Sequence, residues 1–234
     1  MSKFRKTISL FIVFVMSLGI IPITSASKLP ADVIGTKFEE SVELLQALDI
    51  MVGDKDTGDF RLNDDIKRSE VAKIAVLLCG LGDVAESSAG YTKYPDVVAD
   101  HWASGYINVA TSQGLVIGDD VGTFRPDDTI KFAEAVTIFT RALGYEPSAK
   151  DKGGYPNGYL VVAGQNGMLK NGVSAGADQK ASRGTAAMLA FNSLTINLME
   201  KTGYGSNETY EVVNKTLLKD KLEVEKIYGQ VTAN

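Results

Sequence analysis

Arg68 and Arg183 stand 115 positions apart, each at the start of an apolar helical stripe. A guanidinium beside a helix N-terminus suits a carboxylate, through bidentate charge-assisted hydrogen bonds joined by backbone N–H donors. The same side chains could equally form structural salt bridges between neighbouring units, and the residues alone leave both readings open. Trp102, the only tryptophan, carries a ring that stacks on a sugar or packs between units with its indole N–H satisfied. Other chemistry is thinly supplied. His101 is the lone histidine, so a metal centre or a catalytic triad has little to build on, and no metal or cofactor is expected. The run Asp54-Lys55-Asp56-Thr57-Gly58-Asp59 hints at a calcium loop. It lacks an acidic residue directly before the glycine and a Glu at position 12, so a turn is expected. No Gly-x-Ser-x-Gly, His-Glu-x-x-His, phosphate loop or dinucleotide fingerprint occurs. Paired acids at helix starts read as caps, and no catalytic residue is expected.

The elements that must position these side chains are repeated. At an offset of 64, Gly58-Asp59-Phe60-Arg61-Leu62-Asn63-Asp64 falls on Gly122-Thr123-Phe124-Arg125-Pro126-Asp127-Asp128, and the register runs on to Gly80 and Gly144. A weaker third copy, at an offset of 115, lays Ala181-Ser182-Arg183-Gly184-Thr185 over Ile66 to Glu70. Such a period means one supersecondary unit used three times. Each copy reads helix, Gly-rich loop, helix. Val71, Ile74, Ala75 and Leu78 match Ala135, Ile138, Phe139 and Ala142, and then Ala186, Leu189, Ala190 and Ser193, all at helical spacing. Preceding helices are carried by Val42, Leu44, Leu45 and Leu48, and by Ile107, Val109 and Ala110. One such unit cannot bury its stripe alone, so three should close into a single all-α body, with helices near 69–79, 133–143 and 184–195 at its centre.

The N-terminus points outside the cell. Lys3, Arg5 and Lys6 precede an apolar run from Ile8 to Ile23, and Thr24-Ser25-Ala26 supplies small residues for cleavage. Residues 1–26 are therefore expected to be a signal peptide, leaving no membrane segment. Its removal takes the formal charge from −5 to −8, a poor match for nucleic acid. An acidic chain would also be repelled by an anionic wall polymer, so binding one needs local cationic sites. The single cysteine, Cys79, falls where Leu143 sits in the second copy and is expected to be a small buried hydrophobe.

Tyr94-Pro95-Asp96-Val97, His101-Trp102-Ala103, Tyr106-Ile107, Gly114, Gly118, Gly122, Phe124-Arg125-Pro126, and Ile130 with Glu134 resemble an S-layer homology (SLH) repeat. Weaker likenesses run from Asp32-Val33 to Glu70 and from Tyr155-Pro156 to Gly184. The resemblance implies three repeats, 29–81, 93–145 and 153–198, forming a pseudo-threefold body around a central three-helix bundle. It also implies non-covalent attachment to a secondary cell-wall polysaccharide linked to peptidoglycan, often pyruvylated. The family motif Thr-Arg-Ala-Glu at each second helix places Arg68 and Arg183 in grooves between repeats, whereas Phe132 replaces the second arginine. Asp32 and Asp96 resemble the family's early aspartate, which can accept sugar hydroxyls; a capping or turn role is the alternative. Lys67 and Lys131 replace the capping hydroxyl, which should leave Glu70 and Glu134 only the helix dipole.

After residue 198 the pattern changes. Thr202 to Asn207 reads as a linker, Glu211 to Leu222 as a weak helix, and Val224 to Ala233 as a strand and turn, so 199–234 is expected to be a linker opening a further β region or leading to a fused cargo. The competing functions are an exported carbohydrate-active enzyme and a self-assembling surface protein without a specific glycan site.

Overall fold

The structure, a computed structural model, describes residues 29–203 and 208–224. The expected signal peptide and nearly all of the expected strand at 224–233 lie outside the described residues. Three eleven-residue helices, α2 (Arg68–Leu78), α5 (Phe132–Ala142) and α8 (Arg183–Ser193), touch one another pairwise at the centre. Their stripes are buried as read: Val71, Ala75, Leu78, Ala135, Phe139, Ala186, Leu189 and Ala190 all lie in the core. Burying a side chain of Val, Leu or Phe size stabilises by roughly 1.5–3 kcal/mol.

Around them run α1 (Glu39–Ala47), α4 (Ser104–Ser112) and α7 (Asn157–Gln165), with short helices α3 (Gly82–Ser87) and α6 (Glu146–Asp151) between. The outer helices do not take the next helix in sequence as their principal partner. Instead α1 packs on α8, α4 on α2, and α7 on α5. The chain just before the central helices closes a ring of backbone hydrogen bonds: Ile66 N–H to Ala181 O at 3.0 Å, Ala181 N–H to Ile130 O at 2.9 Å, and Ile130 N–H to Ile66 O at 3.0 Å. Outside the ring lie three ion pairs, Lys67–Asp127, Lys131–Asp178 and Lys180–Asp65, at 2.7–2.8 Å. They are solvent-exposed, and solvent screening leaves each contributing little.

The helix starts correct one expectation. Lys67 and Lys131 are extended residues whose ammonium cannot accept a hydrogen bond, yet their backbone N–H groups donate to Glu70 Oε2 (2.9 Å) and Glu134 Oε2 (3.0 Å). The glutamate half of a capping box therefore survives without the hydroxyl half. Ser182 keeps the other half, accepting from Thr185 N–H at 3.1 Å.

The C-terminal tail departs most from the reading. β1 (Asn197–Gly203) pairs antiparallel with β2 (Thr209–Thr216), followed by a π-helical turn, Leu217–Lys221. Thr202 and Gly203 thus belong to a strand, and residues 211–216 are strand where a weak helix was expected. Thr209, Tyr210, Val212, Val213 and Thr216 are β-branched or aromatic, and pairing with β1 lets that propensity win. The described fold is helix-rich with a small sheet. The tail is docked: Met199 N–H donates to Leu143 O and Leu218 N–H to Leu194 O, both at 2.9 Å. Gly80 and Gly144 end α2 and α5 at φ +69° and +83°. A Cβ on either would collide with the carbonyl oxygen of Lys221 or Met199, so both the backbone conformation and the close approach require glycine. Cys79 is a free thiol, largely covered rather than fully buried, and burial pushes its pKa up to about 11. Among the described residues no helix is long and apolar enough to cross a membrane.

Candidate functional site

Each of the two arginines is the first residue of a central helix and reaches across to a different segment. Arg183 donates through Nε to Phe60 O (2.9 Å), through Nη1 to Glu70 Oε1 (2.9 Å) and through Nη2 to Val52 O (3.2 Å). Arg68 donates through Nε to Phe124 O (2.9 Å) and pairs through Nη1 with Glu134 Oε1 at 3.1 Å. Each guanidinium also lies over a phenylalanine ring, Phe60 at 5.2 Å and Phe124 at 5.3 Å. Only 7–8% of each residue is exposed, so the inter-unit salt-bridge reading is realised in the geometry. Glu70 and Glu134 serve twice, one oxygen capping a helix and the other pairing with an arginine. Burial holds the Arg183 pKa below its ordinary value, with Glu70 opposing that shift.

A guanidinium has five donors. Arg183 uses three, leaving one hydrogen on each terminal nitrogen. Arg183 and Arg68 border two separate grooves. One, about 220 Å³, is bounded by Arg183, Glu70, Lys73, Asp54, Arg61 and Trp102. The other, about 460 Å³, is bounded by Arg68, Glu134, Thr137, Arg125, Arg141 and Tyr155. At the third equivalent position Phe132 is buried, and its N–H donates to Gln179 O at 2.7 Å.

Asp32 and Asp96 border neither groove. Asp32 accepts from Phe60 N–H (2.9 Å) and Arg61 N–H (2.8 Å); Asp96 accepts from Phe124 N–H (2.9 Å) and Arg125 N–H (2.6 Å). Each carboxylate thus pins a loop 28–29 residues downstream, where Arg61 and Arg125 hold φ of +62° and +59°. Burial pushes the Asp32 pKa up, but the donated backbone N–H groups outweigh it and leave it below its usual value. The pinned loops carry the carbonyls of Phe60 and Phe124 that the arginines hold. The calcium-like run is a turn, with Asp54 Oδ1 accepting from Asp56 and Thr57 N–H. No cluster of His, Cys, Asp and Glu among the described residues could hold a metal.

Trp102 is about half exposed, at 53%. His101 stacks on it at 5.8 Å, and its Nδ1 accepts from Ala103 N–H. The packing of α4 on α2 brings Lys73 to Trp102, with the ammonium 6.0 Å from that ring centroid and 5.4 Å from the Tyr106 centroid. Sequence reading passed over Lys73. Its one signal was the i,i+3 spacing from Glu70, which puts both on one helix face. Tyr155, named for the resemblance but not for a site, borders the second groove.

Residues 93–136, which hold Asp96, Trp102, Phe132 and Glu134, match the S-layer homology domain family. Over 201 residues, or 86% of this chain, it is 32% identical to the "Middle cell wall protein" of Brevibacillus brevis and 33% identical to the "Surface layer protein" of Brevibacillus choshinensis. A "Cell surface protein" of Thermoanaerobacter kivui is 29% identical over 164 residues, 70% of this chain. The matched regions cover 18%, 17% and 21% of those three proteins, so the chain corresponds to about a fifth of each. Residues 93–136 belong to the S-layer homology domain family, within a chain similar over most of its length to cell-wall and surface-layer proteins.

Proposed function

We propose that this chain is an exported, non-catalytic anchor holding itself or a fused cargo on the bacterial cell wall. It does so by binding a secondary cell-wall polysaccharide in the grooves floored by Arg68 and Arg183. The repeats 29–81, 93–145 and 153–198 form a pseudo-threefold body around α2, α5 and α8, and the grooves lie between repeats. The observation that carries this reading is the doubled arrangement of an arginine, a capping glutamate and a loop carbonyl beneath an open groove with an exposed aromatic, Trp102 or Tyr155. Relatives that are surface-layer and cell-wall proteins support it. The arginines offer their remaining donors to the glycan, Trp102 stacks on a sugar face, and Asp32 and Asp96 hold the loops that shape the grooves.

The test is retention on purified sacculi before and after acid extraction of the secondary polymer. Retention that disappears on extraction supports the anchor. Retention insensitive to extraction favours self-assembly, and release of reducing sugar would establish an enzyme instead.

A further inference from the structure

Of the six basic side chains bordering the two grooves, five are held by carboxylates. Arg183 is held by Glu70, Arg61 by Asp54 and Asp64, Arg68 by Glu134, Arg125 by Asp119 and Asp128, and Arg141 by Glu146. Lys73 has no carboxylate partner among the described residues; its ammonium sits instead over the Trp102 and Tyr106 rings. In the second groove the position 64 residues on is Thr137, whose hydroxyl donates to Ala133 O at 2.7 Å. An ammonium against aromatic faces keeps its charge at modest cost and holds its N–H groups for an incoming acceptor. A buried guanidinium paired with its own glutamate has already spent most of its charge there.

We propose that Lys73 is the residue that reads a negative charge on the bound glycan, and that it does so in the groove it shares with Trp102 alone. The ligand element is a sugar bearing a carboxylate: the carboxylate meets the Lys73 ammonium while the ring lies on Trp102. Glu70 and Asp54 border the same groove, so it accommodates one negative charge rather than the two of a phosphate monoester. The inference rests on the anchoring reading above and sharpens it, because the arginines become positioning residues and the second groove receives neutral sugar.

The experiment uses the whole purified chain and wall polysaccharide released from sacculi by muramidase, either native or with its carboxyls reduced to alcohols. Trp102, as the sole tryptophan, reports occupancy of its own groove through its emission. Native polymer should shift that emission, and carboxyl reduction should weaken binding about tenfold, the loss expected of one charge-assisted contact. Lys73→Met, which keeps the aliphatic stem, should bind native polymer about tenfold more weakly and be indifferent to carboxyl reduction; Lys73→Arg should restore both properties. Unchanged thermal melting of Lys73→Met establishes that its fold is intact. The inference is overturned if Lys73→Met binds native polymer as the parent does, or stays as sensitive to carboxyl reduction. If the parent chain is retained on sacculi yet ignores carboxyl reduction, this inference alone fails; if it is not retained at all, the anchoring reading fails with it.

Discussion

The groove over Arg183 is also bordered by Lys73 and Trp102. In the groove over Arg68 the corresponding places hold Thr137 and Tyr155. Beneath both, an arginine binds a loop carbonyl and a glutamate that also caps the next central helix. The shared part is the part that joins segments; of the part that differs, Trp102 and Tyr155 are half exposed, whereas Thr137 is buried. A buried, hydrogen-bonded ion pair tolerates no single change without stranding a charge, whereas a half-exposed wall residue is free to vary with ligand. At the third position an apolar ring, Phe132, takes the place of the arginine and joins by packing alone.

That comparison breaks first at the third position. Phe132→Ala should cost about 3–5 kcal/mol, the usual penalty for emptying a buried phenylalanine site, read as a lower urea midpoint. A loss below about 1 kcal/mol would mean the ring does not hold the segments together.

Next come the arginines. Arg183→Met and Arg68→Met should each destabilise by about 2–4 kcal/mol, discounted from fully buried pairs because Glu70 and Glu134 keep some solvent contact. Arg183→Met should be the worse of the two, since Arg183 also holds Val52 O. The order is checked by paired chemical unfolding. Equal melting of parent and variants would return the arginines to a purely ligand-binding role.

The loop clamps come third. Asp32→Ala removes the acceptor of two backbone N–H groups and should cost about 1–2 kcal/mol at neutral pH, and Asp96→Ala should match it. Asp32 also carries a pH signature. Its folded pKa lies below the unfolded value, so its stabilisation is complete above the unfolded value, about 3.9, and is lost as pH falls through the folded one. Unfolding curves at pH 7 and pH 3 should therefore differ less for Asp32→Asn than for the parent. An equal or larger difference would show that the clamp does not titrate.

The smallest effect is at Ser69. Its hydroxyl is buried without a partner, and Ala133 stands 64 residues on. Ser69→Ala should be neutral or stabilising by up to about 1 kcal/mol; a clear loss would mean that the hydroxyl is bonded in solution.

The sequence by itself determined the central helices to within two residues, because an apolar stripe at helical spacing, closed at Gly80 and Gly144 by a C-terminal glycine, is a local signal with few alternatives. It also determined that Arg68, Arg183 and Phe132 occupy corresponding positions, since the copies align through them. The tail was misread because the strand propensity around Val212 and Val213 becomes decisive only when β1 lies beside it. The tertiary structure alone decided that each outer helix packs on another segment's central helix. That exchange carries Trp102 to Lys73, binds Arg183 to Glu70 across 113 positions, and sends Asp32 and Asp96 to loop backbones outside the grooves. These partnerships are set by how three similar surfaces close on one another, and no spacing within a single copy encodes that closure.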